Sequence, residues 1–439
     1  MVVKPAERPH RQRTGMTRVR PIEDRRKAQD LMIHLLRANM DVSELQQAPA
    51  ELLQGVAEEA IRHRLGAVAW RGLSDASIAS PPEVVEDLRQ HYLYNAFRNA
   101  ILFRETADAA TALAAESIPV MLLKGIHLAR FVYAEPALRS MADIDLMVPR
   151  SRIADAERIL VGMGYGPLPR GDIDERCAWS NHLATLEKPG AEILEVHYDI
   201  ERPTSPFSID VNAIWRSARA ETLDGAAVVV PATEHLLLHL CIHVAYHHRF
   251  ERTALKGLVD IATVIRDAGP IDWDAMVKAA NAANAGPFVY AALRLARDVL
   301  GADVPVDALN ALDRADSDEA VITIAKRYVL TPSVDVSETM VEIQRTRGWR
   351  KQLALTLRSV FPSPARLREI YKLEPDSILV WTLYPVRVAN LLIRRGGLLA
   401  RIAARTPSAS SIIDRERDRR KIEEWAGYGD AQSDGRSAG

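Results

Sequence analysis

The sequence predicts an α+β fold, in which a small mixed sheet lies between an N-terminal and a C-terminal helical region. Apolar residues recur with helical spacing over residues 28–116 and again from residue 231. Between these regions, short apolar runs end in turns that contain Gly or Pro, which is typical of strands. The chain has 439 residues and is 48% hydrophobic, so it can form a substantial core.

The N-terminal region begins with a basic arm. Residues 1–27 are polar, Arg-rich and aperiodic, and we expect them to be disordered. A helical region follows over residues 28–116 and ends in a long amphipathic stretch that starts near Val84. Pro81 and Pro82 precede this stretch, and proline is favoured in the first turn of a helix.

The pattern of residues 117–230 predicts a mixed α/β domain. Residues 118–123 are expected to form a strand that ends in a Lys124-Gly125 turn, and residues 143–148 a second strand. The remaining predicted elements are helices over 126–134 and 151–163 and strands over 181–187 and 193–200, with a turn at 188–190 between the two strands.

Asp143-Ile144-Asp145 on the second strand is the most informative motif. Side chains alternate faces along a strand, so Asp143 and Asp145 point one way, while Ile144, Leu146 and Val148 point into a core. Two carboxylates on one face repel each other unless a cation lies between them, and Mg²⁺ or Mn²⁺ prefers such oxygen ligands. The motif predicts a metal site that handles phosphate, although short acidic triplets also occur on exposed edges.

Glu195 and His197 share one face of the strand predicted over 193–200. If that strand neighbours the strand over 143–148, Glu195 becomes a third carboxylate beside the metal site, with His197 close by. Three carboxylates can hold two divalent ions, which would position a nucleoside triphosphate, activate an attacking hydroxyl and stabilise the leaving pyrophosphate.

The Lys124-Gly125 turn would complete this site. Glycine lets backbone N–H groups approach a phosphate closely, and the following helix would direct its positive end at the same anion. Lys124 and Arg139 would bind phosphate oxygens through their charges. An ordinary strand–turn–helix with a solvated Lys and Arg is the alternative.

Four histidines recur at every fourth position of the helix predicted after residue 231. A zinc site needs three or four ligands, and one straight helix supplies two of them comfortably. We rather expect His243 and His247 to line the cleft between the sheet and a helical domain over 231–335, where they would touch phosphate or acceptor. Packed or hydrogen-bonded histidines are the alternative, with Asp260 as a candidate partner. The series is His235, His239, His243 and His247.

Charge is distributed unevenly, although the net charge is only −1. Residues 1–27 carry nine basic and three acidic side chains, and residues 344–405 carry thirteen and three. We expect a basic amphipathic helical tail over 336–405 and a disordered end over 406–439. The mixture of Arg with aromatic residues over 345–405 suits an anionic membrane surface, nucleic acid or packing on the acidic body.

The cellular compartment is indicated by what the sequence lacks. Its two cysteines, Cys177 and Cys241, exclude a disulfide framework and a cysteine-based zinc motif. We find no apolar segment of a secretory signal, and no apolar run reaches the roughly 20 residues of a membrane span. The expected location is cytoplasmic, with peripheral membrane association through the tail as a further possibility.

Taken together, the motifs resemble the nucleotidyltransferase-like family NTP_transf_5 of the DNA polymerase β-type superfamily. The resemblance extends over roughly residues 30–310. It implies a metal-binding pair of aspartates, a third acid, Mg²⁺ or Mn²⁺ as cofactor and an NTP as substrate. Superfamily members more often have Gly-Gly or Gly-Ser at the nucleotide turn and Asp as the third acid. The matching residues are Leu123-Lys124-Gly125, Tyr133, Arg139, Asp143-Ile144-Asp145 and Glu195-Val196-His197.

The expected activity is metal-dependent transfer of a nucleoside monophosphate from an NTP to an unidentified small-molecule, peptide or protein acceptor, with release of pyrophosphate. Asp143 would bridge the metals, Asp145 would complete their coordination, and Glu195 would bind the catalytic metal or act as base. A family implies a reaction class rather than a substrate. The alternatives are a metal-dependent glycosyltransferase that uses the D-x-D motif, a protein that binds Mg–NTP without turnover, and a nucleic-acid-binding protein.

Overall fold

The computed structural model covers the 439-residue chain, which divides into two compact units, residues 1–332 and 333–439. The residues that the structure describes are 22–37, 42–166, 180–203, 205–251, 253–312 and 319–330, together with 381, 384, 417–418, 420–422 and 424–425.

The tail predicted over 336–405 and the disordered end predicted over 406–439 fall outside the described residues, apart from a few isolated positions. None of the described helices is both long enough and apolar enough to cross a membrane.

Helices make up the described chain before the sheet. Helix α5 begins with proline at its first position, as the sequence predicts. Helix α1 begins at Ile22, so the disordered arm predicted for residues 1–27 is wrong over residues 22–27; residues 1–21 are outside the described residues. The helices are α1 (Ile22–Leu36), α2 (Ser43–Gln46), α3 (Ala50–Arg62), α4 (Gly66–Asp75) and α5 (Pro82–Ala115).

A five-stranded mixed sheet is formed by the described residues that follow, which confirms the α+β class. Its spatial order is β3-β2-β1-β5-β4. The central strand β1 pairs antiparallel with β2 and parallel with β5, while β2 pairs parallel with β3. The strands are β1 (Met121–Leu122), β2 (Ile144–Met147), β3 (Leu194–His197), β4 (Arg219–Leu223) and β5 (Ala226–Val230).

Two features of the sheet differ from the sequence prediction. The strand predicted over 181–187 is wrong, since this segment forms only isolated bridges, such as that between His182 and His197. The antiparallel hairpin β4–β5 is absent from the prediction. Its turn, Asp224-Gly225, has φ angles of 47° and 91°, the conformation that an Asp-Gly pair favours in a two-residue hairpin. The signal was therefore present in the sequence.

Further helices follow in the described part of the chain, and among them α6 contacts β2. Helix α9 runs into a π-helical turn, His243–His247, and π-helical turns frequently occur at functional sites. The helices are α6 (Lys124–Phe131), α7 (Ile153–Gly162), α8 (Val211–Arg216), α9 (Thr233–Ile242), α10 (Ala254–Asp267), α11 (Trp273–Ala282), α12 (Gly286–Leu300), α13 (Val306–Leu312) and α14 (Glu319–Leu330).

The two faces of strand β2 have different surroundings. One packs into an apolar core, and the other carries Asp145. Ile144, Leu146 and Val148 are fully buried in one core cluster with residues of α5 and α7, which confirms the inward direction predicted for them. Met147 belongs to a second cluster, with β1 residues and Ile214 of α8. Each such buried side chain contributes roughly 1.5–3 kcal/mol, so the alternation fixes which way Asp145 points.

Candidate functional site

Asp145 and Glu195 are direct register partners in the parallel pair β2–β3, and Met147 pairs with His197 in the same ladder. The sequence left open whether these two strands are neighbours, and the structure shows that they are. Register partners present their side chains on the same face of a sheet. The acid of β3 therefore lies beside the second aspartate of the D-x-D motif.

Asp145, Glu195 and His197 form a compact group of metal-ligating side chains. One ligand atom from each lies within 4.8 Å of the others. His197 Nε2 is 3.0 Å from Asp145 Oδ1 and 3.8 Å from Glu195 Oε2. Carboxylate oxygens and imidazole nitrogens are both common ligands of divalent ions, so this donor set could hold one.

Lys124 contacts this group directly. Its Nζ lies 3.2 Å from Asp145 Oδ1. Lys124 is the first residue of α6, so the predicted Lys124-Gly125 turn is the first turn of a helix. Its φ is +36°, in the left-handed region, where a non-glycine residue costs about 1–3 kcal/mol and persists only when its surroundings impose it. The backbone N–H of Leu123 donates to the Asp145 carbonyl at 3.1 Å, which ties this junction to β2.

Gly125 packs closely under the loop that precedes β2. A Cβ at this position would lie 3.3 Å from Met141 Sδ, which is tighter than an ordinary van der Waals contact. Glycine therefore allows α6 to start directly against this loop. Gly125 also lines the cavity described below.

The three carboxylates have different protonation preferences. Burial would raise the pKa of Asp145, but the Lys124 charge and the hydrogen bond from His197 hold that pKa well below its usual range. Burial and the Asp145 charge raise the pKa of Asp143 and also that of Glu195. The partners of Asp145 thus hold it ionised, whereas the anionic forms of Asp143 and Glu195 are destabilised.

Burial also affects the pKa values of Lys124 and His197, the two basic side chains that contact Asp145. For Lys124, burial lowers the pKa, but the attraction of Asp145 outweighs it and the pKa lies above its usual value. For His197, burial lowers the pKa despite the hydrogen bond to Asp145. The Lys124–Asp145 pair is therefore a buried ion pair, and the imidazole beside it is held neutral.

A cavity of about 310 Å³ opens onto these side chains, at the lower end of the range for small-molecule sites. It contains the three carboxylates together with several basic groups, as expected for a site that holds an anion through cations. The lining residues are Arg64, Lys124, Gly125, Arg139, Ser140, Met141, Ala142, Asp143, Asp145, Glu195, His243, His248, Thr253 and Lys256.

Arg139 lines the cavity, but its guanidinium is engaged in a buried ion pair. Its Nε lies 2.7 Å from Asp260 Oδ1 on α10, and the Tyr133 hydroxyl donates to the same oxygen at 2.7 Å. Asp260 thus pairs with an arginine and a tyrosine, and its expected pairing with a histidine is wrong. Burial lowers the pKa of Arg139, but Asp260 more than offsets this. The pair ties α10 to the segment before β2.

The histidine series divides between several environments. His243 lines the cavity, as expected. His247 does not line it, and its Nε2 lies 2.9 Å from Glu201 Oε1. His235 Nδ1 lies 3.0 Å from the Ser217 hydroxyl. Among the described residues, the series forms no group of three metal ligands, so a zinc role within that part of the chain has no geometric support.

Helix α5 holds the loop that leads into β2. Asn99 Nδ2 donates to the carbonyls of Pro136 and Arg139 at 2.7 and 2.9 Å. Arg98 donates to the Ala142 carbonyl at 3.0 Å, next to Asp143. Sequence reasoning assigned these side chains no role. In the sequence, Arg98 and Asn99 are visible only as two consecutive polar residues. Helical periodicity would place them on the side of α5 that faces the rest of the protein.

Lys256 is a second basic group that sequence reasoning missed. It lies on α10, lines the cavity, and its Nζ is 3.4 Å from the Ser140 carbonyl. Burial and the neighbouring Arg139 charge lower its pKa to about 7. A lysine between apolar residues of an amphipathic helix was the only sequence signal.

Comparisons with known proteins give one family. The profile of NTP_transf_5, described as an uncharacterised nucleotidyltransferase, matches residues 51–301. Among solved structures, the crystal structure of an antigenic nucleotidyltransferase-like protein from Paracoccidioides brasiliensis is similar, with 16% identity and a TM-score of 0.33. The match covers 48% of this chain and 96% of that one. No curated protein sequence matches the chain.

Proposed function

This chain belongs to the NTP_transf_5 family of nucleotidyltransferases, and we propose that it transfers a nucleoside monophosphate from an NTP to a hydroxyl or similar acceptor. In this reaction the acceptor oxygen bonds to the α-phosphorus, the bond from that phosphorus to the bridging oxygen breaks, and pyrophosphate leaves. The acceptor is a small molecule, a peptide or a protein.

The observation that carries the proposal is the meeting of three carboxylates with buried basic groups in one cavity. Asp145 and Glu195 are register partners, and Asp143 lines the same cavity. Lys124 and Lys256 line it as well. Carboxylates that hold a cation, next to amines that hold phosphate, are what transfer between phosphate groups requires.

Each side chain then has a separate role. Asp143 and Asp145 would hold Mg²⁺ or Mn²⁺, and the bound ion would supply positive charge to the phosphate oxygens. Lys256 and Arg64 bind the outer phosphates. Glu195 would complete this ligand set or, because burial raises its pKa, accept the proton of the acceptor hydroxyl instead. Arg139 holds the loop through Asp260, and His243 lines the acceptor side of the cavity.

The experiment uses two ATP pools, one labelled at the α-phosphorus and one at the γ-phosphorus. Each pool is incubated with the purified protein, Mn²⁺ or Mg²⁺, and an extract of small molecules and proteins from cells that produce this chain. Transfer of the α label alone is expected. It should disappear in Asp143→Asn and persist in Asp155→Asn, which removes an exposed acid of α7 outside the cavity.

Other outcomes would assign a different activity. Transfer of the γ label would indicate a kinase and contradict the proposal. Transfer of sugar from labelled sugar nucleotides, without transfer from any of the four NTPs, would indicate a glycosyltransferase. Saturable NTP binding without transfer of either label would indicate a nucleotide-binding protein.

The predicted basic segment over 345–405 adds a second part to the proposal, contact with an anionic membrane surface. Sedimentation of the full chain with vesicles that contain anionic lipid, and release at high salt, is the expected result. Binding to vesicles of neutral lipid alone would argue against an electrostatic contact. Salt-sensitive binding to nucleic acid instead would indicate the other anionic partner.

A further inference from the structure

We propose that the ammonium group of Lys124 takes the place of a second divalent cation, so that this site holds one metal ion instead of two. The inference rests on the proposed function only in that it takes Asp143, Asp145 and Glu195 as metal ligands. It concerns the number of ions bound, which can be measured without any acceptor or turnover.

Asp145 Oδ1 is already occupied by two hydrogen-bonding partners. Lys124 Nζ lies 3.2 Å from this oxygen, and His197 Nε2 lies 3.0 Å from it. A carboxylate oxygen has about two lone-pair sites, and both are taken when an ammonium and an imidazole lie at hydrogen-bonding distance. A carboxylate that bridges two metal ions through both oxygens needs a free lone pair on each of them. Asp145 therefore has its second oxygen available for one ion.

The charge of the carboxylate cluster also favours a single divalent ion. Asp143, Asp145 and Glu195 carry three negative charges when ionised, and Lys124 neutralises one of them. The two charges that remain can be matched by one divalent ion, and Arg64 and Lys256 in the same cavity further reduce the charge available to hold a second ion. Arg139 does not alter this balance, because its charge is matched by Asp260 at 2.7 Å.

The fold holds Lys124 in place beside Asp145. The backbone N–H of Leu123 donates to the Asp145 carbonyl at 3.1 Å, so the chain before Lys124 is fixed to β2. Gly125 on the other side packs against Met141. The Lys124 side chain is only 20% exposed. A second divalent ion on Asp145 would have to displace this largely buried ammonium, whose backbone is held on both sides.

The test counts bound Mn²⁺ by electron paramagnetic resonance, with Mn²⁺ added to the purified full-length chain in the absence of nucleotide. We expect one Mn²⁺ per wild-type chain. Lys124→Met keeps the length of the side chain and removes its charge, and it should bind two. Lys256→Met removes a charge from the same cavity without removing a partner of Asp145, and it should still bind one.

Two bound ions in the wild type, or none, would overturn the proposal, and so would a Lys124→Met variant that still binds one. If Lys124→Met does not fold, the spectrum of the wild-type protein saturated with Mn²⁺ decides. A single ion gives an uncoupled six-line signal, whereas two ions about 3.5–4 Å apart give a spin-coupled one. Absence of nucleotidyl transfer would leave a count of one unaffected, so failure of the proposed function and failure of this inference are distinguishable.

Discussion

Asp145 and Glu195 lie directly opposite each other on neighbouring parallel strands, although 50 residues separate them in the chain. A slip of one residue in the β2–β3 register would turn Glu195 to the opposite face and remove the third carboxylate from the cavity. The geometry of the site therefore depends on the apolar residues that fix this register, Ile144 and Leu146 on β2 and Leu194 and Val196 on β3.

The two aspartates of the D-x-D motif should differ in their effect on stability. We expect Asp143→Asn to leave the free energy of unfolding unchanged or to raise it, because burial and the Asp145 charge already disfavour the Asp143 anion. Asp145→Asn should lower it by about 1–3 kcal/mol, because the largely buried Lys124 loses its nearest counter-charge and keeps only Asp143 and Glu195 nearby. Both variants should lose α-label transfer. Denaturant unfolding at pH 7 measures the difference, and equal stability of the two variants would contradict a buried Lys124–Asp145 pair.

The Arg139–Asp260 pair should be important for folding. Asp260→Asn should lower the free energy of unfolding by about 3–5 kcal/mol, because it leaves a buried guanidinium without a counter-charge. Asp267→Asn on the same helix is the matched control, since its partner Arg266 is about half exposed and such pairs contribute roughly 0–1 kcal/mol. Thermal and denaturant unfolding of both variants test this, and similar small losses would mean that the buried pair is dispensable.

Asn99 should act as a positioning residue. In Asn99→Asp the two donated hydrogen bonds are replaced by repulsion, at a cost of about 1–3 kcal/mol for each of the two carbonyls. The loop before Asp143 should then lose its anchor, and kcat should fall more than the affinity for NTP. Asn281→Asp is the control, because its amide bonds one carbonyl at the surface, at 3.3 Å. Unchanged kcat in Asn99→Asp would show that α5 does not position the site.

Lys256 should make stability depend on pH above neutrality. Burial and the Arg139 charge lower its pKa to about 7, whereas an unfolded lysine titrates near 10.4. Between these values the unfolded chain binds one more proton, so the free energy of unfolding should rise with pH, by roughly 1.4 kcal/mol per unit.

In Lys256→Met this contribution should disappear. Denaturant unfolding of wild type and variant from pH 7 to 9.5 tests it, because contributions from other titrating groups cancel in the difference. Parallel pH profiles would rule out a depressed pKa at Lys256.

Local patterns of the sequence predicted much of the architecture. The helical periodicity before the sheet, the proline at the start of α5 and the alternation around Asp143-Ile144-Asp145 all depend on interactions within a few residues. The Asp224-Gly225 turn was an equally local signal, and it would have predicted the β4–β5 hairpin. The strand predicted over 181–187 is wrong because its residues make only isolated bridges, although their alternation resembles that of a strand.

The sequence by itself determined the class of fold, the family and the acidic residues that point away from the core, because strand periodicity and turn chemistry are local properties. Only the tertiary structure decided that Glu195 lies opposite Asp145, that Arg139 pairs with Asp260, that Lys124 contacts Asp145 and that His247 turns to Glu201. These are contacts between residues far apart in the chain. They are set by strand order, strand register and helix packing. These depend on the burial of apolar surface that several segments contribute together.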